Sequence, residues 1–311
     1  LIKYIIYIIN RIGVLNKMHQ IEIIGMKKKR DLKIVIIIII LAIISIIVCL
    51  GIIFANKKNN AKMTMANVSS QNEENNNVMQ TSNQDELLQN NELDTKKFID
   101  TIDNIYNGEE GKRVFLTFDD GPSSEVTPHI LDILKKYNIK ATFFVLGTRV
   151  DMNPDIVKRA FEEGHYIANH GYSHKYSSIY KSVDTIIEEY NKTEESIRKA
   201  LNNESYSSNL FRFPGGSHGG PYEKIKKQAR KKLEEEGIAY LDWSALTYDA
   251  IGVNSKEKII ENLKSTMNGW NNVVVLMHDA ADKQITYESL EDIIKYLQKE
   301  GYAFKNIYDL L

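Results

Sequence analysis

From residue 112 to the C-terminus, short apolar runs alternate with longer amphipathic stretches. The apolar runs have the length and composition of buried β-strands and cover residues 114–118, 141–146, 166–168, 210–211, 238–243, 273–277 and 303–304. The amphipathic stretches have helical spacing and cover residues 128–137, 154–163, 183–201, 222–236, 256–267 and 287–299. This alternation is typical of parallel βαβ units, so the sequence predicts an α/β fold that is either a (β/α) barrel or a doubly wound sheet.

Polar residues of chemically capable types follow several of the predicted strands. The first strand ends in TFDDGP (117–122), which places Asp119 and Asp120 side by side. A D-G-P turn accounts for one aspartate but not for both. The residues that follow the later strands are His170, His174, Arg212, Asp242, His278 and Asp279. Because functional groups collect at the carboxyl ends of parallel strands in both architectures, we expect these side chains to converge on one site.

His170 and His174, four residues apart, form with one carboxylate a typical shell for a catalytic divalent metal that keeps positions open for water and substrate. The one cysteine of the chain, Cys49, lies in a separate apolar run, so any metal bound after residue 50 is held by histidine and carboxylate. Adjacent aspartates at a strand end point in different directions, so one can bind the metal while the other faces a water as a base. The competing interpretation, that these are two surface-loop histidines, does not account for the aspartate pair.

Arg212 and His278 complete the predicted site. Arg212 is always charged and can pair with the non-ligating aspartate, which would keep that carboxylate ionised and oriented. His278 follows an apolar run and is either a structural core residue or, with a carboxylate such as Asp242 beside it, a general acid with a raised pKa. The residues predicted to form either the pocket wall or the core are Tyr172, Trp243 and Leu276.

An uncharged segment precedes this region: residues 34–54 are 21 consecutive residues without a charge, and about 20 such residues span a bilayer as a helix. We predict a basic flank and transmembrane anchor over residues 26–55, with a cytoplasmic N-terminus and an extracytoplasmic C-terminal part, because the flank MKKKRDLK is the more basic. The alternative is a cleaved signal peptide and a secreted protein, although the apolar run is long for one. Met26 is the predicted start, which makes residues 1–25 an untranslated or disordered extension.

The segment that follows the anchor is rich in Asn, Gln, Ser, Glu and Lys, a composition that cannot bury enough apolar surface to fold. We predict a flexible polar linker over residues 56–105 and a folded domain over residues 106–311. The chain has 40 basic and 41 acidic residues and a net charge of -1, so its charge does not indicate a nucleic-acid partner. We expect no obligate protein partner.

Five motifs of the folded region resemble, in order, those of the polysaccharide deacetylases, the family-4 carbohydrate esterases. They are TFDDGP (117–122), HGYSH (170–174), RFPGG (212–216), LDW (241–243) and LMH (276–278). The resemblance covers the chain from residue 112 to the C-terminus and implies a distorted (β/α) barrel of about seven strands. It also implies hydrolysis of acetyl groups on a polysaccharide with a divalent metal, Zn²⁺ or else Co²⁺, Mn²⁺ or Ni²⁺.

The same resemblance implies a role for each motif residue. Asp119 would be the catalytic base, Arg212 would orient it, His278 would be the general acid, and the backbone N–H of Gly215 would help to hold the oxyanion. The implied metal ligands are Asp120, His170 and His174. The implied substrate pocket is formed by Tyr172, Pro214, Trp243 and Leu276.

Two motifs depart from the family pattern. The third has Phe213 where a second proline is usual and Gly215 where an aromatic residue is usual, which alters the pocket wall. The fourth differs from the commoner acidic pattern, so either Asp242 or Asp249 tunes His278; we favour Asp242.

An anchored, outward-facing, thiol-free domain of this kind is expected to act on the cell wall. We therefore expect removal of N-acetyl groups from N-acetylglucosamine of peptidoglycan, with N-acetylmuramic acid as the second candidate. The alternatives are a deacetylase of an exopolysaccharide or chitin-like oligomer, an O-acetyl esterase, a non-haem iron oxygenase with the same two-histidine, one-carboxylate shell, and an inactive membrane-tethered glycan-binding module.

Overall fold

The computed structural model describes residues 94–107 and 111–311. The predicted extension over residues 1–25, the anchor over residues 26–55 and most of the predicted linker lie outside the described residues. Within the described part of the chain, no helix is both long enough and apolar enough to cross a membrane.

One parallel sheet of eight strands forms the centre of the domain. The strands are β1 (Lys112–Asp119), β2 (Thr142–Val145), β3 (Tyr166–Asn169), β4 (Leu210–Phe211), β5 (Ala239–Tyr240), β6 (Ala245–Leu246), β7 (Asn272–His278) and β8 (Tyr302–Lys305). Their spatial order is β5-β4-β3-β2-β1-β7-β6, and β8 pairs with the amino half of β1. The order ends at β5 on one side and at β6 on the other, so the sheet is a parallel, curled half-barrel. The predicted α/β class is confirmed, with the barrel and not the doubly wound alternative.

Nine helices surround this sheet within the described ranges. They are α1 (residues 94–103), α2 (Thr127–Lys136), α3 (Gly147–Met152), α4 (Pro154–Glu162), α5 (Tyr176–Ile179), α6 (Val183–Leu201), α7 (Glu223–Glu235), α8 (Lys256–Met267) and α9 (Gln284–Lys299). All six predicted helices are present. The prediction lacked α3, α5 and β6 because six, four and two residues are too short to show a period.

Helix α6 shows why the boundaries of a strongly marked helix could be predicted. Ser182 is its N-cap: the Ser182 hydroxyl accepts from the backbone N–H of Thr185, and the Thr185 hydroxyl accepts from the backbone N–H of Ser182. This capping box satisfies two amide donors that the first turn leaves unpaired. The helix ends at Asn202, whose left-handed conformation (φ 50°) stops the helical repeat.

Helix α1 lies in what the sequence predicted to be linker, and this part of the prediction is wrong. Ile102 and Ile105 are buried, and Phe98 and Ile99 pack against the same core. The guanidinium of Arg113, at the start of β1, donates to the carbonyl of Ile105. The average composition of the segment is polar, but its few apolar residues recur every three or four positions and form one buried face.

The alternation of side chains along β1 and β7 decides which residues face the interior of the half-barrel. Val114, Leu116 and Phe118 pack outward against the helices. Phe115 packs inward, as does its partner Val274 on β7. Since side chains alternate along a strand, Thr117 and Asp119 also face the interior.

Partners in the β1–β7 register share a face. Thr117 is paired with Leu276 and Asp119 with His278. The register therefore places the Asp119 carboxylate and the His278 ring next to each other, at the carboxyl end of the two central strands.

Candidate active site

Asp119 is held by a fully buried arginine. Arg212 follows β4, and its Nη1 donates to Asp119 Oδ1 at 2.8 Å and to Thr117 Oγ1 at 2.7 Å. Its Nε donates to the carbonyl of Leu241 and its Nη2 to that of Asp242. The predicted pairing of the arginine with one aspartate of the pair is confirmed by these contacts.

Burial is the largest influence on the Asp119 carboxyl and raises its pKa above the ordinary value, although the charges of Arg212 and then His278 oppose the rise. A carboxylate with a raised pKa is a stronger base than an exposed one. Asp119 is thus rigidly oriented and suited to accept a proton at its second oxygen.

Asp120, His170 and His174 form a second group beside Asp119. One ligand atom from each residue lies within 4.8 Å of the other two. Asp120 Oδ1 is 3.5 Å from His170 Nε2 and 3.3 Å from His174 Nε2. Asp120 takes a left-handed conformation (φ 74°) just after β1, and Oδ2 of Asp119 lies 3.7 Å from His170 Nε2.

These three side chains fit a divalent cation. Asp120 Oδ1 is buried and has no hydrogen-bond partner among the described residues, although buried carboxylate oxygens are normally paired. His170 Nδ1 lies 2.8 Å from the carbonyl of Arg212, which directs its Nε2 towards Asp120. Burial lowers the pKa of His170 to about 3, so its ring is neutral, as a metal ligand requires.

The loop that carries His174 is fixed by a residue that the sequence did not single out. Glu189 on α6 accepts hydrogen bonds from the backbone N–H groups of Tyr172 and Ser173 and from the Ser173 hydroxyl, at 2.6 to 2.7 Å. In the sequence, a glutamate on an amphipathic helix looks like an ordinary solvent-exposed residue. Nothing in the sequence therefore singled out Glu189 as part of the site. Its role is visible only in the contacts of the folded chain.

Asp279 ties the loop after β1 to the end of β7. Its N–H donates to the carbonyl of Asp119 at 3.0 Å, and its carboxylate accepts from the hydroxyl of Thr127 at 2.7 Å. Its carbonyl accepts from the hydroxyl of Ser123. A Cβ at Gly121 would lie 2.0 Å from Asp279 Oδ2, so the DDGP loop can approach this carboxylate only with glycine at that position. Asp279 therefore anchors the preceding loop and is more than a turn cap.

His278 is paired with Asp249. Its Nδ1 is 2.9 Å from Asp249 Oδ1, and its backbone N–H donates to Asp249 Oδ2 at 2.7 Å. The hydroxyl of Thr286 also donates to Asp249. Burial lowers the pKa of His278, but the hydrogen bond and charge of Asp249, assisted by Asp119 and Asp120, raise it to about 9. The ring is therefore protonated at neutral pH.

The preference for Asp242 as the partner of His278 is wrong. Asp242 follows β5, at the opposite edge of the sheet from β7, and its carboxylate accepts from the backbone N–H and hydroxyl of Ser217. Asp249 follows β6, which pairs directly with β7. Because β6 was not predicted, nothing in the sequence favoured Asp249 over Asp242 as the partner of His278.

Gly215 lies on the exposed side of the loop after Arg212, with a φ of 73°. The loop is held by Tyr180, whose hydroxyl donates to the carbonyl of Pro214 at 2.6 Å, and by Lys226, which donates to the carbonyl of Gly216. The left-handed conformation favours glycine at position 215. The loop thus presents backbone, and no side chain, at this point of the site.

The predicted pocket residues divide into two groups. Leu276 faces the interior two residues before His278, and Trp243 packs near Arg212 and Gly216. Pro214 is buried within the loop that carries Gly215. Tyr172 does not line the site, because its ring packs against α3 and α6 and its hydroxyl donates to Asp151. Its position within the HGYSH motif did not reveal that it points outward.

The half-barrel and its site define a hydrolase-type centre: an oriented carboxylate, a protonated histidine and a three-residue cation site meet at the carboxyl ends of parallel strands. Comparison with known proteins agrees with this class. The family described as polysaccharide deacetylase matches residues 106–239. A peptidoglycan-N-acetylglucosamine deacetylase of Bacillus cereus is 34% identical over 209 residues, which cover 64% of this chain and 88% of that protein. The chain therefore belongs to the polysaccharide deacetylase family.

Two further similarities define the extent of the match. The peptidoglycan-N-acetylglucosamine deacetylase PgdA of Listeria monocytogenes is 36% identical over 199 residues, but these span 64% of this chain and only 39% of that protein. The structure of a Streptococcus mutans CE4 esterase is similar with a TM-score of 0.61 and 32% identity, covering 67% of this chain and 90% of that one. The common part is the domain that contains the site.

Proposed function

We propose that this domain is a metal-dependent hydrolase that removes N-acetyl groups from N-acetylglucosamine in peptidoglycan. The observation that carries the proposal is the arrangement of Asp119 and His278 on paired positions of β1 and β7, with the Asp120, His170 and His174 group beside them. A base and an acid next to a cation site are the groups that amide hydrolysis requires. Two relatives described above are peptidoglycan-N-acetylglucosamine deacetylases, which supports an acetylated cell-wall glycan as the substrate.

The residues divide the reaction among them. Asp120, His170 and His174 would hold a divalent cation, most simply Zn²⁺, which when bound would supply Lewis acidity towards the acyl carbonyl and lower the pKa of a water. Asp119, oriented by Arg212, accepts the proton of the attacking water. The N–H of Gly215 donates to the acyl oxygen as it gains charge. His278 gives its proton to the departing nitrogen, and acetate and a free amine are the products.

The acid residue meets the requirement of an amide substrate. An amine leaves a tetrahedral intermediate only after protonation. His278 has a pKa raised to about 9 by Asp249 and so holds a proton for this step at neutral pH.

Acetate release from the zinc-loaded full chain tests the proposal. The substrates are purified peptidoglycan, chitin oligomers and an acetylated exopolysaccharide. We expect release from peptidoglycan, loss of release on chelation and recovery on addition of Zn²⁺, with Asp119→Asn as the inactive control. If no substrate yields acetate, the enzyme proposal is refuted; if only the exopolysaccharide does, the substrate assignment is refuted.

We also propose that residues 34–54 anchor the chain in the cell membrane, with the domain on the outer side. The support is the uncharged length of this run and the basic flank before it. Fractionation of cells and protease treatment of intact protoplasts test this: the domain is expected in the membrane fraction and accessible from outside. A domain protected from external protease would contradict it, and the mass of the native N-terminus would show whether translation starts at Met26.

A further inference from the structure

Three tyrosines pack against the loop that carries Gly215. We call Tyr176, Tyr180 and Tyr222 the tyrosine cluster. The rings of Tyr180 and Tyr222 are stacked with centroids 5.0 Å apart, and Tyr176 meets Tyr180 edge-on at 5.6 Å. Tyr180 is buried and its hydroxyl is bonded to Pro214, whereas 39% of Tyr176 is exposed. Tyr176 is thus the member of the cluster that faces the solvent side of the loop.

The Tyr176 hydroxyl occupies the space beside Gly215. A Cβ on Gly215 would lie 2.5 Å from Tyr176 Oη, a distance at which a side chain at position 215 and this phenol exclude each other. The loop therefore lacks a side chain at this point, and the end of Tyr176 stands where that side chain would be. The wall of the site is built at this position by a residue from a different element, α5.

The same phenol is close to the cation site. Its ring centroid is 5.5 Å from that of His174. No residue of the described ranges forms a hydrogen bond with Tyr176 Oη, although a tyrosine hydroxyl can both donate and accept. The phenol of Tyr176 thus contacts Gly215 through its Oη and His174 through its ring. Its O–H has no protein partner in the described ranges and is available to a ligand bound beside these two residues.

We propose that Tyr176 is a further catalytic residue, whose O–H donates a hydrogen bond to the acyl oxygen of the substrate. This inference rests on the proposed function, which places the acyl oxygen between the cation held by His174 and the N–H of Gly215. The Tyr176 phenol lies beside both of these residues, with its Oη against Gly215 and its ring against the ring of His174. A donor there strengthens its bond as the acyl oxygen becomes negative, so its effect falls on the transition state more than on substrate binding.

The test compares Tyr176→Phe with Tyr222→Phe in the zinc-loaded full chain. Each change removes one phenol O–H from the tyrosine cluster and keeps the ring, but only the first lies beside Gly215. We expect Tyr176→Phe to lower kcat for a soluble peptidoglycan oligomer roughly 10- to 100-fold, as expected for a hydrogen bond to a charged group. KM should change little, and Tyr222→Phe should leave both values within twofold.

Two further measurements separate a catalytic from a structural effect. Zinc content and thermal unfolding of Tyr176→Phe should equal those of the parent protein, and the oligomer should bind equally well to Asp119→Asn with and without the Tyr176 change. A kcat within twofold of the parent, a loss that appears in KM alone, or a loss that follows lost zinc would each overturn the inference while the proposed function stands. Absence of acetate release from the parent protein on all substrates would overturn both.

Discussion

Asp249 contacts His278 twice, through one carboxylate oxygen to the ring Nδ1 and through the other to the backbone N–H. The double contact fixes both the position of the histidine at the end of β7 and the orientation of its ring. Its Nε2 is thereby left to face the interior of the half-barrel. One aspartate, which follows a strand of two residues, sets both the geometry and the proton affinity of the proposed acid.

Asp249→Asn should shift the pH profile of the enzyme. An asparagine keeps an acceptor for the backbone N–H but removes the negative charge, so the pKa of His278 should fall from about 9. Since the acid works when protonated, the activity of the parent falls as pH rises through about 9, and in the variant this fall should begin at lower pH. The measurement is kcat against pH. Asp242→Asn is the matched control, and a basic limb that moves with Asp242 and not with Asp249 would contradict the pairing.

The two adjacent aspartates should fail in different ways when substituted. Asp119→Asn should abolish turnover and keep the metal, because Asp119 is bonded to Arg212 and lies outside the ligand set. Asp120→Asn and His170→Ala should lose metal affinity first, because each weakens or removes one of three ligands. The measurements are bound zinc after dialysis and acetate release. His129→Ala, at an exposed histidine on α2, is the control; equal zinc loss in Asp119→Asn and Asp120→Asn would refute the division of roles.

His165 should make the domain sensitive to acid. It is completely buried, and its Nδ1 accepts from the backbone N–H of Ala141. Burial lowers its pKa to about 4, below the 6.5 of an unfolded chain. Between pH 6.5 and 4, His165 therefore binds a proton in the unfolded state but not in the folded state. Stability is lost as pH falls through this range.

The size of this effect follows from the shift, which corresponds to about 3 kcal/mol at most. His165→Asn retains an acceptor for Ala141 but cannot titrate. We expect the free energy of unfolding, measured by denaturant at pH 7 and pH 4, to fall by less in the variant than in the parent. Parallel falls in the two proteins would exclude His165 as a cause of acid sensitivity.

Gly121→Ala should disturb the loop between the two aspartates and α2. The added methyl would lie 2.0 Å from a carboxylate oxygen of Asp279, which is buried and bonded to Thr127. Overpacking of this kind costs about 1–3 kcal/mol. Asp279→Ala should relieve the clash, so in a double-mutant cycle the two changes should be less than additive. Additive losses would show that the carboxylate is not what limits position 121.

The parts of the fold and site that could be predicted are those with local signals. Asp119, Asp120, His170, Arg212 and His278 each follow a strand that the sequence marks by an apolar run. Their convergence then follows from a parallel sheet, in which every such strand ends at the same edge. The capped helix over residues 183–201 was likewise marked by its period and by the residues at its ends.

The parts that could not be predicted depend on contacts between distant segments or on elements too short to show a pattern. As the partner of His278, Asp249 was ranked below Asp242, because β6 has only two residues and shows no visible alternation of apolar and polar residues. Glu189 contacts the loop that carries His174, and Tyr176 contacts the loop that carries Gly215. These contacts form only in the folded chain, so the sequence does not show them. The direction in which the Tyr172 side chain points depends on the left-handed conformation of Gly171 (φ 83°). The spacing of residues along the motif does not reveal this conformation.

The position of helix α1 has a consequence for how a large substrate reaches the domain. The first turn of α1 lies beside residues that precede strands, since Thr95 contacts Gly237 before β5 and shares a surface cavity with Asn209 before β4. Asp119 and His278 stand at the opposite, carboxyl end of the same parallel sheet, on β1 and β7. Residue 94, where the first described range begins, therefore lies towards the end of the sheet opposite the site. Under the proposed function, a polymer substrate would meet Asp119 and His278 on the face of the domain opposite this residue.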